Sequence, residues 1–200
     1  MSQEASLAQR KRQLVRDELS GAAMKLLDDR RYDAITVEDI AEAAGVSRRT
    51  FFRYFPTKED AFVVHFLRYF AEEIPAALAA RPAEERPSDA LRRSLPAAPS
   101  PEDADRAFDL AVVTLTVPAL RTCYLDHQAQ WRASLAAQLA RRTAVDAEID
   151  MRPTLAAGMA LLAFDTALQW WTTSDHRGVL AEVVDEAFDL VAPAIDRLFG

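Results

Sequence analysis

Arg48, Arg49, Arg53 and Lys58 stand within eleven consecutive residues that hold no acid, interleaved with Thr50, Phe52 and Tyr54. These side-chain types suit a polyanion carrying base edges. A guanidinium reads guanine or phosphate through parallel N–H donors, Thr and Phe touch thymine methyls, and hydroxyls donate to phosphate oxygens. The chain contains no Ser-His-Asp order, phosphate-binding glycine loop or G-x-G-x-x-G run, so no catalytic residue is assigned and an enzyme is not expected. His65, His127 and His176 lie far apart in sequence, and neither a metal site nor a cofactor is assigned. The single cysteine, Cys123, cannot form an internal disulfide, which fits a reducing cytoplasm. With Arg121 its nearby base, it reads as a structural thiol rather than a reactive one.

The residues before the basic run are those that would hold it in place. Thr36 followed by Asp39 approximates a capping box, and Glu38 and Asp39 put negative charge in a first helical turn. Val37, Ile40, Ala41 and Ala44 repeat at i, i+3, i+4 and i+7, the spacing of one buried helical stripe. Gly45 suits a left-handed helix end and Ser47 an N-cap. A second short helix then runs from about Arg48 to Phe55, with Phe51 and Phe55 facing inward and the basic and aromatic side chains outward. Helix, glycine turn and basic helix together spell a helix-turn-helix, which lays its second helix in a DNA major groove. Pro56 ends that helix, and Thr57 to Asp60 cap the next.

The run Ala34 to Ser47, continued by Thr50-Phe51-Phe52-Arg53-Tyr54-Phe55-Pro56-Thr57-Lys58-Glu59, resembles the DNA-binding domain of TetR-family transcriptional regulators over roughly residues 10–65. Phe51-Phe52 stands where the family usually has Leu-Tyr, so Phe52 lacks a hydroxyl that often reaches a phosphate there. The Arg-Arg-Thr-Phe-Phe-Arg-Tyr-Phe-Pro variant is similar to an actinobacterial subgroup with mycofactocin-type and acyl-CoA-responsive members. The resemblance implies an all-α chain with a three-helix DNA-binding domain (1–56) and a helical ligand-binding and dimerisation domain (57–200), connected by a helix from 57 to about 74. The assigned DNA contacts are Thr36, Ser47, Arg48, Arg49, Thr50, Phe52, Arg53, Tyr54 and Lys58. Arg48, Arg49 and Thr50 are assigned to bases, and Thr36, Ser47, Tyr54 and Lys58 to phosphates.

Charge supports a division of labour. The net charge is −7, yet residues 1–60 carry 11 Lys/Arg and 11 Asp/Glu, so the whole excess of acid lies beyond them. A local basic patch on an acidic protein favours selective over indiscriminate DNA binding. Five glycines and abundant Ala, Leu, Glu and Arg indicate helices, and no uninterrupted apolar run is long enough to span a membrane. The start, Met1-Ser2-Gln3-Glu4, lacks the apolar core of a signal peptide, so the expected location is cytoplasmic.

Residues 7–30 read as the first helix, with Leu14, Leu19, Ala22, Ala23, Leu26 and Leu27 on its core face. Pro82, Pro87, Pro96, Pro99 and Pro101 mark a loop-rich stretch with a short helix near 89–95. Four further helices are expected at about 102–116, 118–142, 151–173 and 177–199. The last two carry broad apolar faces, and the resemblance implies that they pair with their copies in a homodimer. Candidate walls of an effector cavity are Phe70, Phe108, Leu115, Trp131, Met159, Phe164, Trp170 and Trp171. The expected effector is a hydrophobic or amphipathic small molecule, with acyl-CoA one option and Arg121 or Arg132 as its phosphate contacts. The reading is a ligand-responsive repressor that binds a palindromic operator as a dimer. Its rivals are an activator, or a small-molecule- or partner-binding helical module that has lost DNA binding.

Overall fold

The computed structural model describes residues 2–70, 74–95, 104–146, 149–173 and 179–200, and among them it is entirely helical. The helices are α1 (Ser2–Asp29), α2 (Val37–Ala43), α3 (Arg48–Tyr54), α4 (Lys58–Phe70), α5 (Ile74–Ala79), α6 (Pro87–Ser94), α7 (Ala104–Thr116), α8 (Pro118–Thr143), α9 (Arg152–Thr173) and α10 (Leu180–Arg197). A 3₁₀ turn at Tyr32–Ala34 links α1 to α2.

The first four helices share a core of Leu19, Ala23, Tyr32, Ile35, Ile40, Phe51, Phe55 and Phe62, all buried. Leu14 was expected on the core face of the first helix, but it is 64% exposed. The helix begins at Ser2, earlier than residue 7. α4 packs on α1 on one side and on α7 and α8 on the other. It is described as far as Phe70, so the expected continuation to about 74, and the kink or end expected at Pro75, run into residues outside the described ones.

In the remainder, α9 packs between α8 and α10, and α6 lies on α10. Polar clasps fix this short α6. Asp196 accepts from the Ser88 amide and hydroxyl at 3.0 and 2.8 Å. Arg92 spans Asp185 and Asp189 at 2.6 and 2.8 Å. The Arg142 guanidinium donates to the carbonyls of Arg81, Pro82 and Glu85, which anchors the preceding turn to the end of α8. Pro118 is at the start of α8, where the chain bends 97° from α7. The expected helix starts at 102 and 177 fall outside the described residues. Among the described residues no single helix is long and apolar enough to cross a membrane.

Candidate nucleic-acid interface

The motif is built by local hydrogen bonds that its sequence dictates. Thr36 Oγ1 accepts from the Asp39 amide at 3.1 Å, and Asp39 Oδ2 accepts from the Thr36 amide at 2.8 Å, completing the capping box. The Thr36 hydroxyl donates to the same carboxylate at 2.6 Å, and Arg30 approaches its other oxygen at 3.2 Å. Thr36 first, and then Arg30, hold the Asp39 carboxyl below its ordinary 3.8. At the far end of α2, Gly45 adopts φ +66°. Its amide donates to Glu42 O at 2.9 Å and the Val46 amide to Ala41 O at 2.9 Å, the paired bonds of a Schellman stop. A side chain at Gly45 would strain the left-handed backbone, so glycine is required by conformation here, not by space.

Ser47 Oγ then accepts from the Thr50 amide at 3.1 Å and caps α3. Phe51 and Phe55 are buried, with ring centroids 5.7 Å apart, and the Arg16 guanidinium lies 5.0 Å from the Phe55 ring centroid. Burying each ring contributes roughly 1.5–3 kcal/mol, enough to hold a seven-residue helix that would not form alone. Because those two rings turn inward, Arg48, Arg49, Phe52 and Arg53 are left exposed, and Thr50 and Tyr54 half-exposed.

These side chains are not all idle. Arg48 Nε pairs with Glu38 across the turn at 3.0 Å, and its guanidinium sits 5.5 Å from the Phe52 centroid. Both partners are well exposed, so the pair is worth less than about 1 kcal/mol and exchanges readily for another anion. Arg53 stacks on Tyr54 at 5.0 Å and donates to its hydroxyl at 3.3 Å. Thr50 Oγ1 is 2.9 Å from Ser47 Oγ. Phe52, 45% exposed, is braced edge-on by Phe51 at 5.5 Å.

Lys58 is tied inward to an extent its position in the sequence does not reveal. Its ammonium donates to Ile35 O at 2.9 Å and Tyr32 O at 3.3 Å, and lies 4.2 Å from the Tyr32 ring centroid. Tyr32 in turn donates to Glu59, and burial followed by that carboxylate raises the Tyr32 hydroxyl far above its ordinary value. Lys58 therefore staples the 3₁₀ turn to the start of α4, with one of its three N–H donors left over.

One cluster escapes a reading of the sequence altogether. Thr57 and Asp60 form a second reciprocal cap at the start of α4, with bonds of 3.1 and 3.2 Å. The free oxygen of Asp60 faces α8, where Cys123 Sγ lies at 3.6 Å and His127 Nε2 at 3.7 Å. His127 first, and then Thr57, hold the Asp60 carboxyl below its ordinary 3.8 against the opposing cost of burial. Burial, and next the Asp60 charge, push the Cys123 thiol up to about 12. The signal in the sequence is the four-residue spacing of Cys123 and His127 on one helix, but the carboxylate that joins them comes from residue 60.

The candidate cavity residues are dispersed. Phe108 meets Trp171 edge-to-face at 5.0 Å, Trp131 packs near Tyr124 and His127, and Phe164 is core. Leu115 and Met159 are half-buried against the core, while the Phe70 side chain lies outside the described residues. Trp170 is 66% exposed and lines no interior space. Neighbours at 170 and 171 point about 100° apart on a helix, so α9 buries Trp171 and turns Trp170 out. Arg121, considered for an effector phosphate, is instead held by both oxygens of buried Asp165 at 2.8 and 2.9 Å. Arg132 lines an open cleft of about 360 Å³ between α8 and α9 with Gln128, Gly158 and Asp165.

Residues 20–63 match the family of bacterial regulatory proteins of the tetR type, and residues 85–196 match the MftR C-terminal domain. The chain is 31% identical over 199 residues to the HTH-type transcriptional regulator TcmR of Streptomyces glaucescens, covering 94% of this chain and 88% of that one. It is 30% identical over 200 residues to the regulator MftR of Mycobacterium tuberculosis, covering 94% and 95%. In fold it is similar to Thermus thermophilus FadR, a TetR-family repressor solved in complex with lauroyl-CoA. There the TM-score is 0.54 at 22% identity, covering 88% of this chain and 93% of that one. The chain belongs to the TetR family of bacterial transcriptional regulators.

Proposed function

We propose that this regulator is a cytoplasmic repressor that binds a palindromic operator as a homodimer, with α3 of each copy in a major groove, and that a hydrophobic or amphipathic small molecule releases it. The observation that carries the reading is the outer face of α3. It presents three arginines and a propped Phe52 on a helix whose other face is anchored by Phe51 and Phe55. In this reading Arg48, Arg49 and Thr50 touch bases, with Phe52 and Arg53 beside them. Arg48 exchanges Glu38 for the DNA. Thr36, Ser47, Tyr54 and the third N–H of Lys58 hold phosphates. Residues 1–56 form the DNA-binding domain and 57–200 the regulatory and dimerisation domain.

The dimer reading rests on α9 and α10. Leu155, Leu162 and Trp170 repeat along one side of α9, and Leu190 stands 80% exposed on α10. An exposed apolar row on α9 with Leu190 exposed on the adjacent α10 favours burial against a second copy. Trp170 belongs to that interface in this reading, while Phe70, Phe108, Leu115, Trp131, Met159, Phe164 and Trp171 remain the candidate effector walls.

Selection of bound fragments from random DNA with the purified protein tests the reading. An enriched inverted repeat whose half-sites lie about one helical turn or a multiple apart is the expected result. No enrichment at low salt refutes DNA recognition, and an enriched single half-site refutes the dimeric mode.

A further inference from the structure

We propose that Asp60, Cys123 and His127 form a divalent transition-metal site, best matched to zinc(II), that clamps the first turn of α4 to α8. The donors differ in kind and converge from two helices. Cys123 and His127 are one turn apart on a single face of α8. Asp60 is the third residue of α4, its Oδ2 engaged by the Thr57 amide and hydroxyl at 3.1 and 2.8 Å. Its Oδ1 faces the thiol at 3.6 Å and the imidazole at 3.7 Å, and the three ligand atoms all lie within 4.8 Å of one another. With metal–ligand bonds of about 2.0 Å to O and N and 2.3 Å to S, a tetrahedral site has S–O and N–O edges of roughly 3.5 and 3.3 Å. The two edges that meet at Asp60 Oδ1 are thus within a few tenths of an ångström of liganding geometry, and the thiol–imidazole edge, within 4.8 Å, closes by side-chain rotation on one helix face.

Thr57 supplies the outer hydrogen bonds that orient the carboxylate, as supporting residues do around metal ligands. A solvent-open cleft of about 330 Å³, lined also by Thr122, Asp126 and Gln130, leaves the fourth position to water. A thiolate, an imidazole and one carboxylate suit zinc and its transition-metal neighbours, whereas calcium and magnesium want oxygen alone. On binding, the Cys123 S–H bond breaks, its proton passes to solvent and a metal–sulfur bond forms, with the imidazole neutral.

Since Asp60 caps the helix that follows α3, an occupied site fixes the angle between the DNA-reading helices and the body. That consequence rests on the operator reading above; the metal site does not.

The full-length protein, titrated with cobalt(II), decides the matter. One cobalt per chain should produce a thiolate-to-cobalt charge-transfer band with tetrahedral ligand-field intensity, and equimolar zinc(II) should displace it. Cys123→Ser should abolish the band, and His127→Ala and Asp60→Asn should weaken binding at least tenfold, with helical circular dichroism confirming that each variant is folded. Absence of the band, or its survival in Cys123→Ser, overturns the site. Zinc(II) should change wild-type affinity for a selected operator five-fold or more and leave Cys123→Ser unchanged. Equal affinity with and without bound metal overturns the clamp's regulatory role while the cobalt result stands. Failure to bind DNA in either state counts against the operator reading instead.

Discussion

Replacing Lys58 by Met separates two roles that the residue combines. Met keeps an unbranched stem along the 3₁₀ turn and removes the charge. Three interactions are lost: the bond to Ile35 O at 2.9 Å, the longer bond to Tyr32 O at 3.3 Å, and the ammonium over the Tyr32 ring at 4.2 Å. A charge-assisted hydrogen bond contributes about 1.5–3 kcal/mol net and an exposed cation–π contact about 0.5–1 kcal/mol. Lys58 is half-exposed, so water can resolvate the abandoned carbonyls, and the low end of that range applies. The expected loss is about 2 kcal/mol, which for a chain of this size lowers Tm by roughly 4–8 °C. Calorimetry should be run at one fixed protein concentration, because the proposed dimerisation would make Tm concentration-dependent. In the same preparation, the slope of log affinity against log salt should fall by about one if the third N–H holds a phosphate. A Tm within about 1 °C of wild type refutes the staple. A destabilised variant with an unchanged slope removes Lys58 from the interface.

Four further outcomes follow from the same physics. Gly45→Ala should destabilise by about 1 kcal/mol, whereas Ala144→Gly should stabilise by a similar amount, because Ala144 ends α8 at φ 53° with a Cβ; urea unfolding that shows both changes with one sign refutes the backbone argument. Asp39 is ionised more easily in the folded chain, so its stabilisation is fully present above its ordinary 3.8 and lost as pH falls through the lower folded value. The stability gap between wild type and Asp39→Asn should therefore hold at neutral pH and close in acid, and a gap that survives in strong acid contradicts it. With its thiol near 12, metal-free Cys123 should react with iodoacetamide at pH 8 about a thousandfold more slowly than in the urea-unfolded chain, and rates within tenfold of each other exclude the raised value. Leu162→Asp combined with Leu190→Asp places charge on exposed apolar positions of α9 and α10 and should yield monomers by light scattering without loss of helix, while an intact dimer sends the interface elsewhere.

The DNA-reading motif was legible in the sequence because its determinants are local. Capping pairs at 36 and 39, a left-handed glycine, and aromatic residues four apart act across no more than five residues, so their order along the chain is their order in space. The same holds for the all-α class and for Pro118 opening α8. Helix ends were less legible where partners decide them. α1 is already helical at Ser2, ahead of the expected residue 7, and exposes Leu14.

What only the tertiary structure decided concerns residues whose partners are distant in sequence. Lys58 finds its carbonyls 23 and 26 residues back, Arg121 is consumed by Asp165 44 residues on, and Asp60 meets Cys123 63 residues away. Periodicity marks Trp170 and Trp171 alike as apolar, but α8 and α10 can cover only one side each of α9, leaving Trp170 outside. Local chemistry determined that this chain presents a basic, aromatic helix on its surface. Packing determined which of its charges are engaged within the fold, because a side chain's availability depends on neighbours that the linear order does not place beside it.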